Sequence, residues 1–407
     1  MYGRKSDVFC SALTKLMIYI GIFLLILFLF FRYDFCGRKR GRMAWYYALL
    51  VMLILMAGLR WRLGSDTPIY MRQFFHETPL LWKLRTEDVM LGLKPFWKLL
   101  NSVVYTFYGK FYILQLIHAT IVNILFFTYF KKHSQYIFFC VLLYFFWLYF
   151  SMSMQIMKAS FSIAICLFAN DYLMERKWIK SYFLYFIALM FHPQTALLLF
   201  MPLSLKLSFN IKGILFLLIS FITGLAIQHY LSDFLFVFEA IGDDKIMDKA
   251  YDYSNAIAEA DNSFLRMVTS FGILIFELLS IIYVKKRTKI DISNIEPFLM
   301  LGMASILIQI TVELFYRYVF YFSFYFIILF SYIAQYIVSN NRKFSRGVLF
   351  AKFFMFFLPL LICIHANRFF QLPRFVPYSS ILEMKVDKAR EKYYMKDGKP
   401  AANKKEF

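Results

Sequence analysis

Apolar runs of 16 to 21 residues, set apart by short clusters of Lys and Arg, recur along the chain from residue 16 to residue 366. A helix needs about 20 apolar residues to cross the hydrocarbon core of a bilayer, and about 17 at the least. The runs at 16–31, 44–59, 111–130, 136–153, 157–174, 211–230, 266–284, 297–316, 318–338 and 347–366 are therefore expected to be spanning helices. The first two sit at the lower limit and extend into flanking aromatics such as Tyr33 and Trp45. Composition agrees: 61% of the 407 residues are hydrophobic and 17% charged, against roughly 45–50% and 25% in soluble domains. The net charge of +21 is divided among clusters between apolar blocks, which is how a membrane protein distributes its anchors and not how a nucleic-acid-binding surface is built. Cys10, Cys36, Cys140, Cys166 and Cys363 are isolated and odd in number, so neither a disulfide framework nor a metal site is expected. FRYDFCGRKR follows the first run where a small-residue cleavage motif would stand, so that run reads as a retained span.

Basic clusters in short loops stay in the cytoplasm. Five are expected there: Arg32 with Arg38–Arg42; Lys131 and Lys132; Arg176, Lys177 and Lys180; Lys285–Lys289; and Arg342, Lys343 and Arg346. The acidic loop 231–265, with Asp233, Glu239, Asp243, Asp244 and Asp248, is expected outside. An odd number of crossings must then separate 176–180 from 231–265, yet two apolar stretches, 182–201 and 211–230, lie between them. Phe191-His192-Pro193 interrupts the first at its centre, and proline removes a backbone donor and clashes with the preceding turn. Either 181–206 is a re-entrant hairpin lining a polar cavity, or it is an ordinary span and one loop is misplaced. The hairpin predicts that thiols at Ser181 and Lys206 react only from the cytoplasmic side; labelling from opposite sides overturns it.

The expected fold is thus all-α: a polytopic transmembrane bundle of about ten full spans plus the hairpin, forming one domain over 1–366. The basic segment 367–407 follows as a tail. With ten spans both termini lie outside, and the tail departs from the charge rule. The outer loop 60–110, with Trp82, Phe96, Trp97, Tyr105 and Phe107 among Lys83, Arg85, Lys94 and Lys98, reads as amphipathic helix at the interface.

No Walker loop, GxGxxG, HExxH or Asp-x-Asp occurs. Ionisable residues at span ends remain, and these are functional candidates because they are costly there. Arg60 and Arg62 stand where the second span emerges, followed by Gly64, Asp66 and Tyr70. Two guanidiniums can hold phosphate oxygens bidentately; the plainer reading is snorkelling arginines and a turn-capping aspartate. Lys158 opens the fifth span, where a cation opposes the helix dipole and an anionic partner, or lipid phosphate, compensates. His192 at the break can move a proton near neutral pH or simply pack as an interhelical donor. Glu313 and Arg317 are four apart on one helix face, in a direct role or as a structural ion pair. Charge counts and parity place all four groups on the outer face.

These residues, in this order, resemble the EpsG family, relatives of the Wzy-type polymerases of bacterial capsule, exopolysaccharide and O-antigen. The matching points are Arg60, Gly64, Asp66 and Tyr70; the block from Lys158 to Glu175 with Arg176 and Lys177; Phe191 and His192 with Ala196; and Arg317 in an aromatic span. They cover about residues 44 to 338. The family's Asn-x-x-Arg-Gln entry to the fifth span is replaced by Gln155, Lys158 and Ala159, which keeps charge but loses bidentate geometry.

The resemblance implies a polymerase-like domain that joins undecaprenyl-diphosphate-linked repeat units by metal-independent glycosyl transfer, without a cofactor, at the outer face of the inner membrane. Arg60 and Arg317, with Arg62 and Lys158, would meet the charge of the leaving diphosphate. Asp66, His192 or Glu313 would take the acceptor proton, and Tyr70 would help bind substrate. Membrane lipid, a chain-length regulator and a flippase of the same pathway are the implied partners. A flippase for the same lipid-linked glycan is the competing class, but it favours repeated halves and midplane polar groups. A ligase or acyltransferase modifying the glycan would reuse the same leaving-group logic.

Overall fold

The computed structural model describes residues 18–86, 94–240, 263–288, 290–312, 315–339, 372–384 and 387–396, and among them no strand occurs. Helices α1 (Ile18–Phe35), α2 (Arg42–Gly58), α3 (Thr67–Arg72), α4 (Pro95–Phe107), α5 (Phe111–His133), α6 (Ile137–Gln155), α7 (Met157–Met174) and α8 (Trp178–Phe191) belong to a first compact unit, which also takes in the C-terminal segment. A second unit, Phe200–Tyr336, holds α9 (Ile211–Ala240), α10 (Ser263–Arg287), α11 (Glu296–Thr311) and most of α12 (Tyr316–Ser339).

Six helices among the described residues are long and apolar enough to cross a membrane: α1, α5, α6, α12 and the stretches Ile211–His229 and Met267–Arg287. The ten full spans expected are therefore not reproduced. At 17, 14 and 16 residues, α2, α8 and α11 are apolar but short. α7 has the length and is more polar, carrying Lys158, Asn170 and Asp171. The expected span at 347–366 lies outside the described residues.

In the first unit, α6 is the central helix: 89% of its apolar window is buried, and Phe145–Gln155 is wound as π-helix. Helices associate in a membrane through close packing of small residues and interhelical hydrogen bonds, and both occur here. A Cβ at Gly58 would lie 2.6 Å from Leu116 Cδ1, so α2 and α5 meet almost backbone to backbone. Tyr144 OH and Ser153 Oγ of α6 bond to Asn123 of α5, at 3.0 and 3.1 Å. His118 Nε2 and Ser160 Oγ join α5 to α7 at 2.7 Å.

The basic clusters do gather at one end of this unit. Arg42 pairs with Asp34 at 3.0 Å and donates to Gln135 O. Lys132 and His133 both reach Asp171, at 2.7 and 2.8 Å, and Lys177 holds Glu175 at 2.7 Å. Helices α2, α5, α6, α7 and α8 run alternately between this end and the opposite one, where residues 59–70, Met154–Lys158 and the C-terminal segment meet.

Pro193 ends α8 as expected. His192 is extended (φ −150°, ψ 121°), the conformation favoured before proline, and a 3-10 segment Pro193–Ser204 follows. Tyr182 OH donates to Leu199 O at 3.3 Å, so the chain turns back along α8.

Loop 60–110 is not one interfacial helix. It breaks into α3 with a π-turn Gln73–Glu77, a 3-10 turn Leu81–Lys83, and α4, begun by Pro95 at its first position. Trp97 is 4% exposed, facing protein, whereas Trp82 is 72% exposed. The aromatic residues of this loop divide between core and surface, a distinction that counting them does not reveal.

Candidate active site

α2 ends at Gly58, and two left-handed residues, Arg62 (φ 48°) and Gly64 (φ 95°), turn the chain. The C-terminal segment pairs with this turn. Arg60 and Ser380 form an antiparallel bridge, Trp61 N donates to Ser379 O at 2.7 Å, Ile381 N to Leu59 O at 2.9 Å, and Gly64 N to Arg374 O at 3.1 Å. Tyr378 OH reaches Met56 O at 3.0 Å, and Tyr19 OH reaches Phe375 O at 2.8 Å.

The two arginines of the turn go separate ways. Arg62 is engaged bidentately by Glu391, Nε to Oε1 at 2.7 Å and Nη2 to Oε2 at 2.9 Å, with both side chains buried. Glu391 thus occupies the fork of Arg62 that the sequence reading assigned to phosphate oxygens. Arg60 is fully buried. Nη1 donates to Ala57 O and Nε to Leu63 O at 3.4 Å, while Nη2 has no hydrogen-bond partner among the described residues. Burial pushes its guanidinium down to about 10, still charged at neutral pH, within electrostatic reach of the phenols of Tyr149, Tyr378 and Tyr394.

A charge buried without a carboxylate partner carries a desolvation cost that its hydrogen bonds offset only in part, and among the described residues Arg60 is held by two backbone carbonyls alone. Arg60→Met is therefore expected to raise the melting temperature in detergent while lowering activity. Melting below the parent would mean that the bonds to Ala57 and Leu63 outweigh the buried charge.

Asp66 precedes α3 and accepts from Ser65 Oγ at 3.5 Å. One turn on, Tyr70 and Lys158 come together. The Lys158 ammonium stands 5.0 Å from the Tyr70 ring centroid and 5.5 Å from that of Trp97, close enough for cation–π attraction. It also donates to Gln73 Oε1 at 3.1 Å. The end of α6, just ahead of α7, is held by the turn: Thr67 Oγ1 donates to Leu63 O at 2.6 Å and approaches Met154 O at 3.4 Å.

Beside Lys158 opens a cleft of about 430 Å³, lined by Gln73, Lys94, Trp97, Lys98, Asn101 and Lys158, with Glu77 as its carboxylate. Sequence reasoning assigned Lys94 and Lys98 to an interfacial helix and overlooked Gln73 and Asn101. The spacing 94, 98, 101 places three polar side chains on one helical face, and that was the signal available.

Asp66 and His192 lie outside the cleft lining. His192 is nonetheless a neighbour through an aromatic ladder: Phe191 stacks on Phe161 at 4.7 Å and meets Phe96 edge-on at 5.7 Å, and Phe161 lies 6.5 Å from Trp97. Arg317 belongs to the second unit, in the first turn of α12, where its guanidinium covers the Tyr316 ring at 5.6 Å and Nε donates to Tyr316 OH at 3.2 Å. Glu313 lies outside the described residues.

The EpsG family model matches residues 43–380, most of the chain and as far as the bridge partner of Arg60. No curated protein and no solved structure matches it.

Proposed function

The chain belongs to the EpsG family, and we propose on that premise that it is a polysaccharide polymerase, a glycosyltransferase that joins undecaprenyl-diphosphate-linked repeat units at the outer face of the bacterial inner membrane. The cleft beside Lys158 supports this reading. It combines parts a diphosphate-linked sugar calls for: lysines for the phosphate oxygens and the amide of Gln73 beside them for hydroxyls.

In the reaction an acceptor hydroxyl attacks the anomeric carbon of the donor chain. The bond from that carbon to the diphosphate oxygen breaks, and undecaprenyl diphosphate leaves with the bonding pair. Fixed cations aimed at the leaving oxygen lower the barrier because its charge grows in the transition state. Lys158, held between two aromatic faces and an amide oxygen, is the cation whose placement is best defined; Lys94 and Lys98 add positive potential along the cleft. Asp66 and His192 are the two residues of this unit suited to receive the acceptor proton. Arg317, in the second unit, keeps its proposed role as a cation for the leaving group on the family resemblance alone. The end bearing Lys132, Lys177 and Arg42 faces the cytoplasm in this scheme, as short basic loops do.

The test is reconstitution of the full chain in liposomes with a lipid-linked repeat unit and no added metal. Products extended by whole repeat units are expected. Transfer of the lipid-linked unit across the bilayer without chain growth would mark a transporter.

A further inference from the structure

We infer that Glu391 and Tyr394 in the C-terminal segment are positioning residues for Lys158, clamping the turn at Arg60–Gly64 onto the end of α6, which leads directly into α7. The inference rests on the reading of the cleft as the diphosphate site.

The line of contact is continuous. Glu391 and Tyr394 share α13 (Lys388–Lys396) and are both buried. Glu391 fills the fork of Arg62. The Tyr394 hydroxyl is shared between Arg62 O and Gly64 O, at 3.1 Å from each, so one side chain ties both ends of the left-handed turn. Arg390 and Arg374 brace the segment internally, donating to Pro377 O and to Tyr393 OH respectively.

Thus held, Gly64 lies against the main chain of Met154: the position of a Cβ there is 2.4 Å from Met154 O. Four residues further on is Lys158, the second residue of α7. The turn therefore bears on the backbone that carries the cleft ammonium. A buried ion pair broken on one side leaves the other charge uncompensated, so loss of Glu391 releases Arg62 and with it the turn.

The experiment uses the full-length chain in proteoliposomes with the lipid-linked repeat unit. Glu391→Gln and Tyr394→Phe are each expected to lower kcat by about tenfold or more with little change in KM, since a displaced cation weakens transition-state stabilisation. Arg62→Glu and Glu391→Arg should each do the same, and the double exchange should recover much of the loss. A readout independent of activity is the reaction of an impermeant maleimide with Ser379→Cys, located by peptide mapping. Ser379 is buried and its carbonyl bonds Trp61, so modification is expected to be slow in the parent and about tenfold faster with Glu391→Gln.

Faster labelling with undiminished chain growth overturns the positioning role and leaves the polymerase reading intact. A double exchange no better than its singles also overturns it. A parent that never extends the glycan, while Ser379→Cys stays protected until Glu391 is replaced, sinks the polymerase reading and leaves the clamp standing. Should the charge variants fail to accumulate, Tyr394→Phe, which removes one hydroxyl, decides the matter.

Discussion

Lys158→Met is expected to cut chain growth by about 10²–10³-fold, the loss that follows removal of one preorganised charge-stabilising group, while the amount and melting temperature of the protein in the membrane stay near the parent's. The asymmetry follows from where the side chain sits. Its end stands against the rings of Tyr70 and Trp97, and methionine offers them a flexible, polarisable apolar chain of similar length. What is lost is the ammonium, at 3.1 Å from Gln73 Oε1 and over two aromatic faces. Lys158→Arg retains the charge, but a planar fork does not fit a box formed around a compact ammonium, so intermediate activity is expected. The measurement is glycan length on a gel after complementation, together with turnover in liposomes. Full-length polymer from Lys158→Met would remove the diphosphate from this cleft.

Gly64→Ala is expected to have the largest effect on the fold of any Gly→Ala change among the described glycines of the first unit. Two penalties add at this position. With φ at 95° the residue is in a region that side chains disfavour, and the new Cβ would stand 2.4 Å from Met154 O and 3.2 Å from its carbon. Strain and overpacking each cost about 1–3 kcal/mol. Gly109→Ala separates them: φ is 61° there as well, but the nearest atom to a Cβ is Tyr105 O at 3.9 Å. Gly109→Ala should cost about 1 kcal/mol, seen as a small fall in melting temperature. Gly64→Ala should leave little protein in the membrane, and what remains should make short chains. Equal behaviour of the two would show that backbone strain alone, without the contact at Met154, explains Gly64.

Several of these features were legible in the sequence because they are local. Apolar run length located the helices to within a few residues, as with α7, and Pro193 marked the end of α8. Charge sorting brought Lys132 and Arg42 to one end, since it depends on the membrane and not on tertiary contacts. What escaped was long-range. Nothing near Arg62 in the chain announces Glu391, 329 residues away, so two arginines two apart read as a joint phosphate grip. The cleft was missed because Trp97 and its lysines looked interfacial by composition. Burial of one tryptophan and exposure of another is decided by α4 packing on its neighbours.

Chain order bears on the pairing of residues 59–64 with 374–394. A ribosome adding about 5–20 residues per second completes the turn at Arg60 on the order of tens of seconds before its partners exist. Throughout that interval Trp61 N and Gly64 N lack their acceptors and Arg62 lacks Glu391. The nascent protein can therefore insert its early helices but cannot finish this corner until residues 374–394 have been added, and a chain cut short before residue 372 keeps the corner open.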